Sequence, residues 1–69
     1  MRVEARLSED LRSVHMRRGG WSITFPAADL PRWIALYRRL RDRKHGKWAA
    51  TYAPDVAALE RVEIELRRG

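Results

Sequence analysis

The sequence predicts an α+β fold: a small antiparallel two- or three-stranded sheet, with a β-hairpin at 12–25, followed by two helices packed on one face. Three observations carry this. Residues 2–7 alternate strictly between apolar and charged. A Gly19-Gly20 pair divides a second alternating stretch. From Leu30 onward the apolar residues recur at helical spacing.

In Arg2-Val3-Glu4-Ala5-Arg6-Leu7, Val3, Ala5 and Leu7 share one face and the charged residues share the other, as in a half-buried strand. Ser8-Glu9-Asp10 breaks that pattern. The next stretch has two readings. With Gly19-Gly20 as the loop, Arg18 pairs with Trp21, Met16 with Ile23 and Val14 with Phe25. Arg17–Ser22 and His15–Thr24 then form the polar side. A slip of one residue would invert every face, so this consistency favours the hairpin. The competing reading is a helix over 8–18, capped by Ser8, with Leu11 and Val14 inward.

Pro26 ends the hairpin. Asp29 is a suitable N-cap and Pro31 is tolerated in a first helical turn, so a helix is predicted to about Lys44, with Gly46 as its C′ residue. Leu30, Trp33, Ile34, Tyr37 and Leu40 form its core-facing stripe. Residues 47–53 read as a connection in which Trp48 and Tyr52 cover one end of the core. Pro54-Asp55 opens a last segment to Arg68. In a helix Val56, Leu59, Val62 and Leu66 share a face, and Glu63 and Arg67 make an i,i+4 pair. Residues 62–66 also alternate as a strand would. A helix leaves Ile64 outside the main face, whereas a strand buries it.

At 69 residues the chain is expected to form one domain. A chain this short buries only about 60% of the surface its unfolded form exposes, so its core is small. Cysteine is absent, which rules out disulfides and thiolate metal sites. The first residues lack the apolar run of a secretory signal and no apolar run is long enough to span a membrane; a cytoplasmic protein is expected. Adsorption to anionic membranes is a weaker reading, because the apolar face of the first helix serves the core.

The balance is 15 Lys+Arg against 9 Asp+Glu, a net charge of +6, and 13 of the basic residues are Arg. Arginine presents a planar donor fork that suits phosphate and stacks on rings. A GC-rich genome also raises the Arg:Lys ratio, but it does not explain the net charge, which favours anionic partners. Asn and Gln are both absent, as in heat-adapted proteins or under codon bias. Their absence removes the usual adenine readers, so nucleic-acid contacts would go to the backbone, to shape, or to guanine through Arg.

Two constellations suggest a polyanion partner. Arg32, Leu36, Arg39 and Arg43 form a stripe along the first helix, widened by Arg38, Arg41 and Lys44 and extended by His45 and Lys47. Such a stripe can follow a phosphate backbone, and the plain alternative is a solvated face with cations near the helix C-terminus. The second constellation is the hairpin tip, where Arg17 and Arg18 flank Gly19-Gly20 and Trp21. This tip can clamp phosphate and stack on a base, or Arg18 can simply lie over Trp21. The partners expected are nucleic acid or a nucleoprotein complex, with no cofactor. The rival function is a protein-binding regulator or inhibitor that docks through Trp21, Trp48 and Tyr52, since exposed indoles anchor interfaces. The size, basicity and lack of motifs would also suit a phage or mobile-element accessory protein.

Catalysis has little to rest on. His15 and His45 lie in no recognisable motif, the hydroxyls form no nucleophile elbow, and the glycines form no phosphate loop. No residue is assigned as catalytic or metal-ligating, since two distant histidines give no ligand spacing. A small RNA-cleaving toxin using Arg, Lys and His is the one enzyme class retained.

Residues 1–11, Met-Arg-Val-Glu-Ala-Arg-Leu-Ser-Glu-Asp-Leu, resemble the opening of the ribbon–helix–helix repressors, in which an alternating basic strand leads into a Ser- or Pro-capped helix. That resemblance implies dimerisation through the strand and reading of a major groove. It stops at Gly19–Pro26, which is β-like where that fold has a helix–turn–helix, and the family is not assigned. A homodimer is also suggested by the exposed edges of so small a sheet, with Val3, Ala5 and Leu7 pairing across a two-fold axis.

Overall fold

A computed structural model describes residues 2–68. Strands β1 (Val3–Leu7), β2 (Ser13–Arg18) and β3 (Trp21–Pro26) form an antiparallel sheet in the order β1-β2-β3. A short 3-10 turn (Ala27–Asp29) leads into helix α1 (Leu30–Gly46), and helix α2 (Ala49–Arg68) follows. The fold is α+β, with three strands rather than two.

The β2–β3 register is the one the alternation dictates: Arg18 opposite Trp21, Met16 opposite Ile23 and Val14 opposite Phe25. Gly19 takes φ +59° in the connecting turn, a value open to glycine at little cost. The helical alternative for 8–18 fails because the side-chain oxygens of Ser8 and Asp10 serve a loop. Ser8 Oγ donates to Asp10 Oδ1 (2.6 Å) and accepts from Ser13 N–H (3.0 Å), and Asp10 Oδ1 also accepts from Arg12 N–H (3.1 Å). This network closes the β1–β2 connection. Its hydrogen bonds, from Ser8 first and Arg12 N–H second, hold the Asp10 carboxyl below its ordinary range.

Ala5, Val14, Met16 and Phe25 face a single core with Leu30, Ile34 and Tyr37 of α1 and Val56, Ala58, Leu59 and Val62 of α2. Val3, Leu7, Ile23, Trp33, Leu40, Tyr52 and Leu66 pack around it. Val3, Ala5 and Leu7 therefore belong to the chain's own core. A two-fold pairing at β1 would have to use its backbone edge and not these side chains. Phe25 stacks on Trp33 (centroids 4.7 Å apart) and Trp33 on Tyr37 (6.3 Å), which ties β3 to α1.

Three sequence expectations require correction, and the open choice at 62–66 is resolved. Asp29 makes no side-chain cap: it lies in helical space (φ −88°, ψ −3°) as the end of the 3-10 turn, and the Leu30 N–H bonds the Ala27 carbonyl instead. The end of α1 is not set by Gly46 alone, since non-helical backbone begins at Arg43 (ψ 142°) and Lys44, His45 and Gly46 take φ values of +52°, +59° and +80°. Residues 49–53 are not a connection, because α2 begins at Ala49, five residues before Pro54. Its first turn is closed by Thr51 and Tyr52 N–H groups bonding the Trp48 carbonyl (both 3.1 Å), so the missing Pro54 N–H falls one turn further in. The last segment is helical throughout, which leaves Ile64 half exposed and places Arg67 3.7 Å from Glu63.

Candidate nucleic-acid interface

At about 100° per residue, a helix that buries Leu30, Ile34 and Tyr37 must carry Arg32, Leu36, Arg39 and Arg43 on its far side. All four are exposed, with Leu36 at 41%. Among the described residues, Arg32, Arg39 and Arg43 have no ion-pair partner. Their charge is therefore presented to solvent and not consumed within the fold. Arg38 lies to one side of the stripe and pairs with Glu60 of α2. Both side chains of that pair are substantially exposed, so the link is weak. Arg41 turns to its neighbour Asp42 (2.9 Å), whose carboxyl is held below its ordinary range chiefly by that hydrogen bond. Lys44 and His45 are exposed on the left-handed turn, and the Lys47 ammonium sits 5.5 Å from the Trp48 ring centroid.

The hairpin tip does not act as one clamp. Strand alternation sends Arg17 and Arg18 to opposite faces of the sheet. Arg17 is exposed on the outer face. Arg18 is turned inward: its Nε donates to Asp55 Oδ1 at 2.9 Å, and its guanidinium lies 5.3 Å from the Tyr52 ring centroid. Its ring partner is thus Tyr52 and not Trp21. Asp55 is fully buried, and its Oδ2 has no hydrogen-bond partner. Burial pushes this carboxyl above its ordinary range, outweighing the nearby guanidinium, which pulls it down. Burial, followed by the Asp55 charge, raises the Tyr37 phenol in turn.

Trp21 is 45% exposed beside this arrangement. With Arg18, Tyr37, Leu40 and Tyr52 it lines an open cavity of 320 Å³. Of the proposed protein-docking residues, Trp21 and Tyr52 therefore share one cavity, while Trp48, 41% exposed, lies outside its lining. Sequence reasoning missed Asp55 as the partner of Arg18. The only local signal is that Arg18 falls on the apolar side of the hairpin, where an arginine needs an acid to accompany it.

Among the described residues, no group of three or more His, Asp or Glu side chains is placed to hold a metal ion, and no helix is long and apolar enough to cross a membrane. No protein-family model, curated protein or solved structure matches the chain.

Proposed function

We propose that this protein binds nucleic acid with low sequence specificity, through the outer face of α1. The observation that carries the reading is the exposed, unpaired row of Arg32, Arg39 and Arg43 on one helix face. Arg38 flanks the row, and Lys44 and Lys47 continue it past the end of the helix. Guanidinium groups at this spacing can engage successive phosphates and release their condensed counterions. The lack of Asn and Gln argues against adenine reading, so the contacts are to backbone and to shape. On this reading the protein works in the cytoplasm and needs neither cofactor nor catalytic residue.

The test is retention on short DNA and RNA duplexes across a salt series. Affinity should fall steeply, with a log–log slope corresponding to about four to six phosphates at roughly 0.9 each. An Arg39→Glu/Arg43→Glu variant that keeps its circular dichroism spectrum should lose most of this binding. Unchanged retention would remove the stripe from the interface.

A second reading is favoured by the cavity beside Trp21. An exposed indole next to Tyr52, Tyr37 and Leu40 is the kind of anchor a protein partner uses, and would suit a regulator or inhibitor of a larger complex. Under that reading, partner binding survives nuclease and high salt, and is lost in Trp21→Ala while the fold persists.

A further inference from the structure

Among the described residues, the outer face of the sheet carries one apolar side chain, Pro26 opposite Ser13 at its end. Its cross-strand rows are Glu4–Arg17–Ser22 and Arg6–His15–Thr24. Both helices cover the opposite face, so this one is left open. Arg2 and Arg6, on and before β1, and Arg17 on β2 bring charge to it. Together with Glu4 and His15 they line a shallow groove of 480 Å³, and Arg61 of α2 lines the same groove at the β1 edge, beside Val3 and Ala5. A smaller hollow of 300 Å³ between Arg2, Glu4, Arg17 and Gly19 continues it towards the hairpin tip. Four guanidinium groups meet a single carboxylate there.

That carboxylate is engaged with Arg2: Glu4 Oε1 lies 3.1 Å from Arg2 Nε. Among the described residues, Arg6, Arg17 and Arg61 have no ion-pair partner. His15 Nδ1 is hydrogen-bonded to Thr24 Oγ1 at 2.9 Å, which fixes the ring within the face. Like charges brought this close in a fold repel one another, and a bound polyanion relieves that repulsion. The rows are separated by about two strand residues, roughly 7 Å, so the arginines are spread along the strands and present a track rather than a single point.

This groove and the α1 stripe lie back to back. The sheet turns its apolar face to the helices, and α1 turns Leu30, Ile34 and Tyr37 into the core shared with the sheet and α2. Arg6 and Arg17 therefore point away from one side of the two-layer fold, and Arg39 and Arg43 away from the other. One rigid duplex cannot contact both surfaces. We infer that the open sheet face is a second phosphate-binding surface, and that one chain bridges two nucleic-acid segments. The inference rests on the nucleic-acid reading above.

The experiment uses the full chain, a biotinylated duplex on beads and a fluorescent duplex of unrelated sequence in solution. The wild-type protein should carry the second duplex onto the beads at low salt. Capture should rise and then fall with protein concentration, as excess protein covers each duplex separately. In Arg6→Thr/Arg17→Thr, chosen to retain strand propensity, bead binding should persist while capture drops by about fivefold or more, because the salt slope of bridging loses roughly 0.9 per missing phosphate contact. Arg61→Ala, on a helix and clear of the strand pairing, should lower capture in the same direction. Bead binding without capture by the wild-type protein would overturn bridging and leave the nucleic-acid reading standing. Undiminished capture in both sheet-face variants would overturn the second surface, since bridging would then come from paired copies using α1 alone. Binding of neither duplex would overturn the nucleic-acid reading and the bridge with it.

Discussion

Arg18 and Arg39 carry the same side chain, and the fold uses them in opposite ways. Arg18 is held between a buried carboxylate and a tyrosine ring, and its charge is consumed inside the protein. Arg39 stands on an outward helix face and has no ion-pair partner among the described residues. The net charge of +6 counts them equally, yet only the first is spent on a buried acid of the fold. Basic composition thus measures an upper limit on what a surface can offer. Strand and helix geometry then decide which residues contribute to it.

Removing the inward arginine should have the largest effect. Arg18→Ala leaves Asp55 buried with neither oxygen compensated, which should cost about 3 kcal/mol near neutral pH. Urea denaturation measures this. The cost should shrink in acid, where the carboxyl takes up a proton instead. Replacing both partners with apolar residues, as in Arg18→Met/Asp55→Leu, should be close to neutral, because the desolvation penalty of the pair disappears along with its attraction. A double variant as unstable as Arg18→Ala would show that the arginine acts through packing on Tyr52 and not through its charge.

The same pair sets a pH dependence whose sign follows from burial. The folded-state pKa of Asp55 lies above its usual 3.8, so the folded chain holds this proton more tightly than the unfolded chain does. The stabilising contribution is complete below the usual value and is lost as pH rises through the raised one. Wild-type stability relative to Asp55→Asn should therefore fall with rising pH across that window. Asp10 and Asp42 shift the other way: their contributions are present above the usual value and lost as pH falls. Both remain in Asp55→Asn, so the difference between the two proteins isolates Asp55. A difference that grew with pH would mean that Arg18 outweighs burial.

The contrast between the two arginines also marks how far the sequence could be read. The hairpin register was legible residue by residue, because Gly19-Gly20 and the alternation on both sides agree. The faces of both helices were legible from apolar spacing, including the exclusion of Ile64. What lay beyond reach depended on residues distant in the chain or on competing local signals. Asp55 meets Arg18 across 37 positions; the apolar side on which Arg18 falls calls for an acid, but no local pattern says which one. Arg2, Arg6, Arg17 and Arg61 gather only once β1 pairs with β2 and α2 lies against β1. Asp29 and Pro54 are strong terminus signals, but the 3-10 turn at 27–29 takes in the one and the turn closed by the Trp48 carbonyl precedes the other. Tertiary placement of the chain outweighed both.

A smaller effect is expected where the stripe meets backbone strain. Lys44 takes φ +52° and ψ 50°, left-handed values that cost a side-chain-bearing residue about 1 kcal/mol relative to glycine. Lys44→Gly should raise stability by roughly that amount, seen as a higher thermal midpoint, while weakening retention on nucleic acid through the lost charge. The two readouts moving in opposite directions would show strain retained to place a cation. A gain in stability with unchanged retention would remove Lys44 from the interface.

The smallest effect on folding is expected at Arg39, and it is the sharpest test of the comparison. Arg39 is exposed and has no ion-pair partner among the described residues, so Arg39→Ala removes no contact the fold depends on, and alanine favours helix. Stability should stay within about 0.5 kcal/mol of the wild type. Nucleic-acid retention should nevertheless weaken similarly on all sequences, and its log–log salt slope should fall by about one. Arg18→Ala should show the converse: a large loss of stability, with the slope unchanged in conditions where the variant is folded. If Arg18→Ala altered the slope and Arg39→Ala did not, the roles would be exchanged. The hairpin tip, freed from Asp55, would then be the surface that meets phosphate.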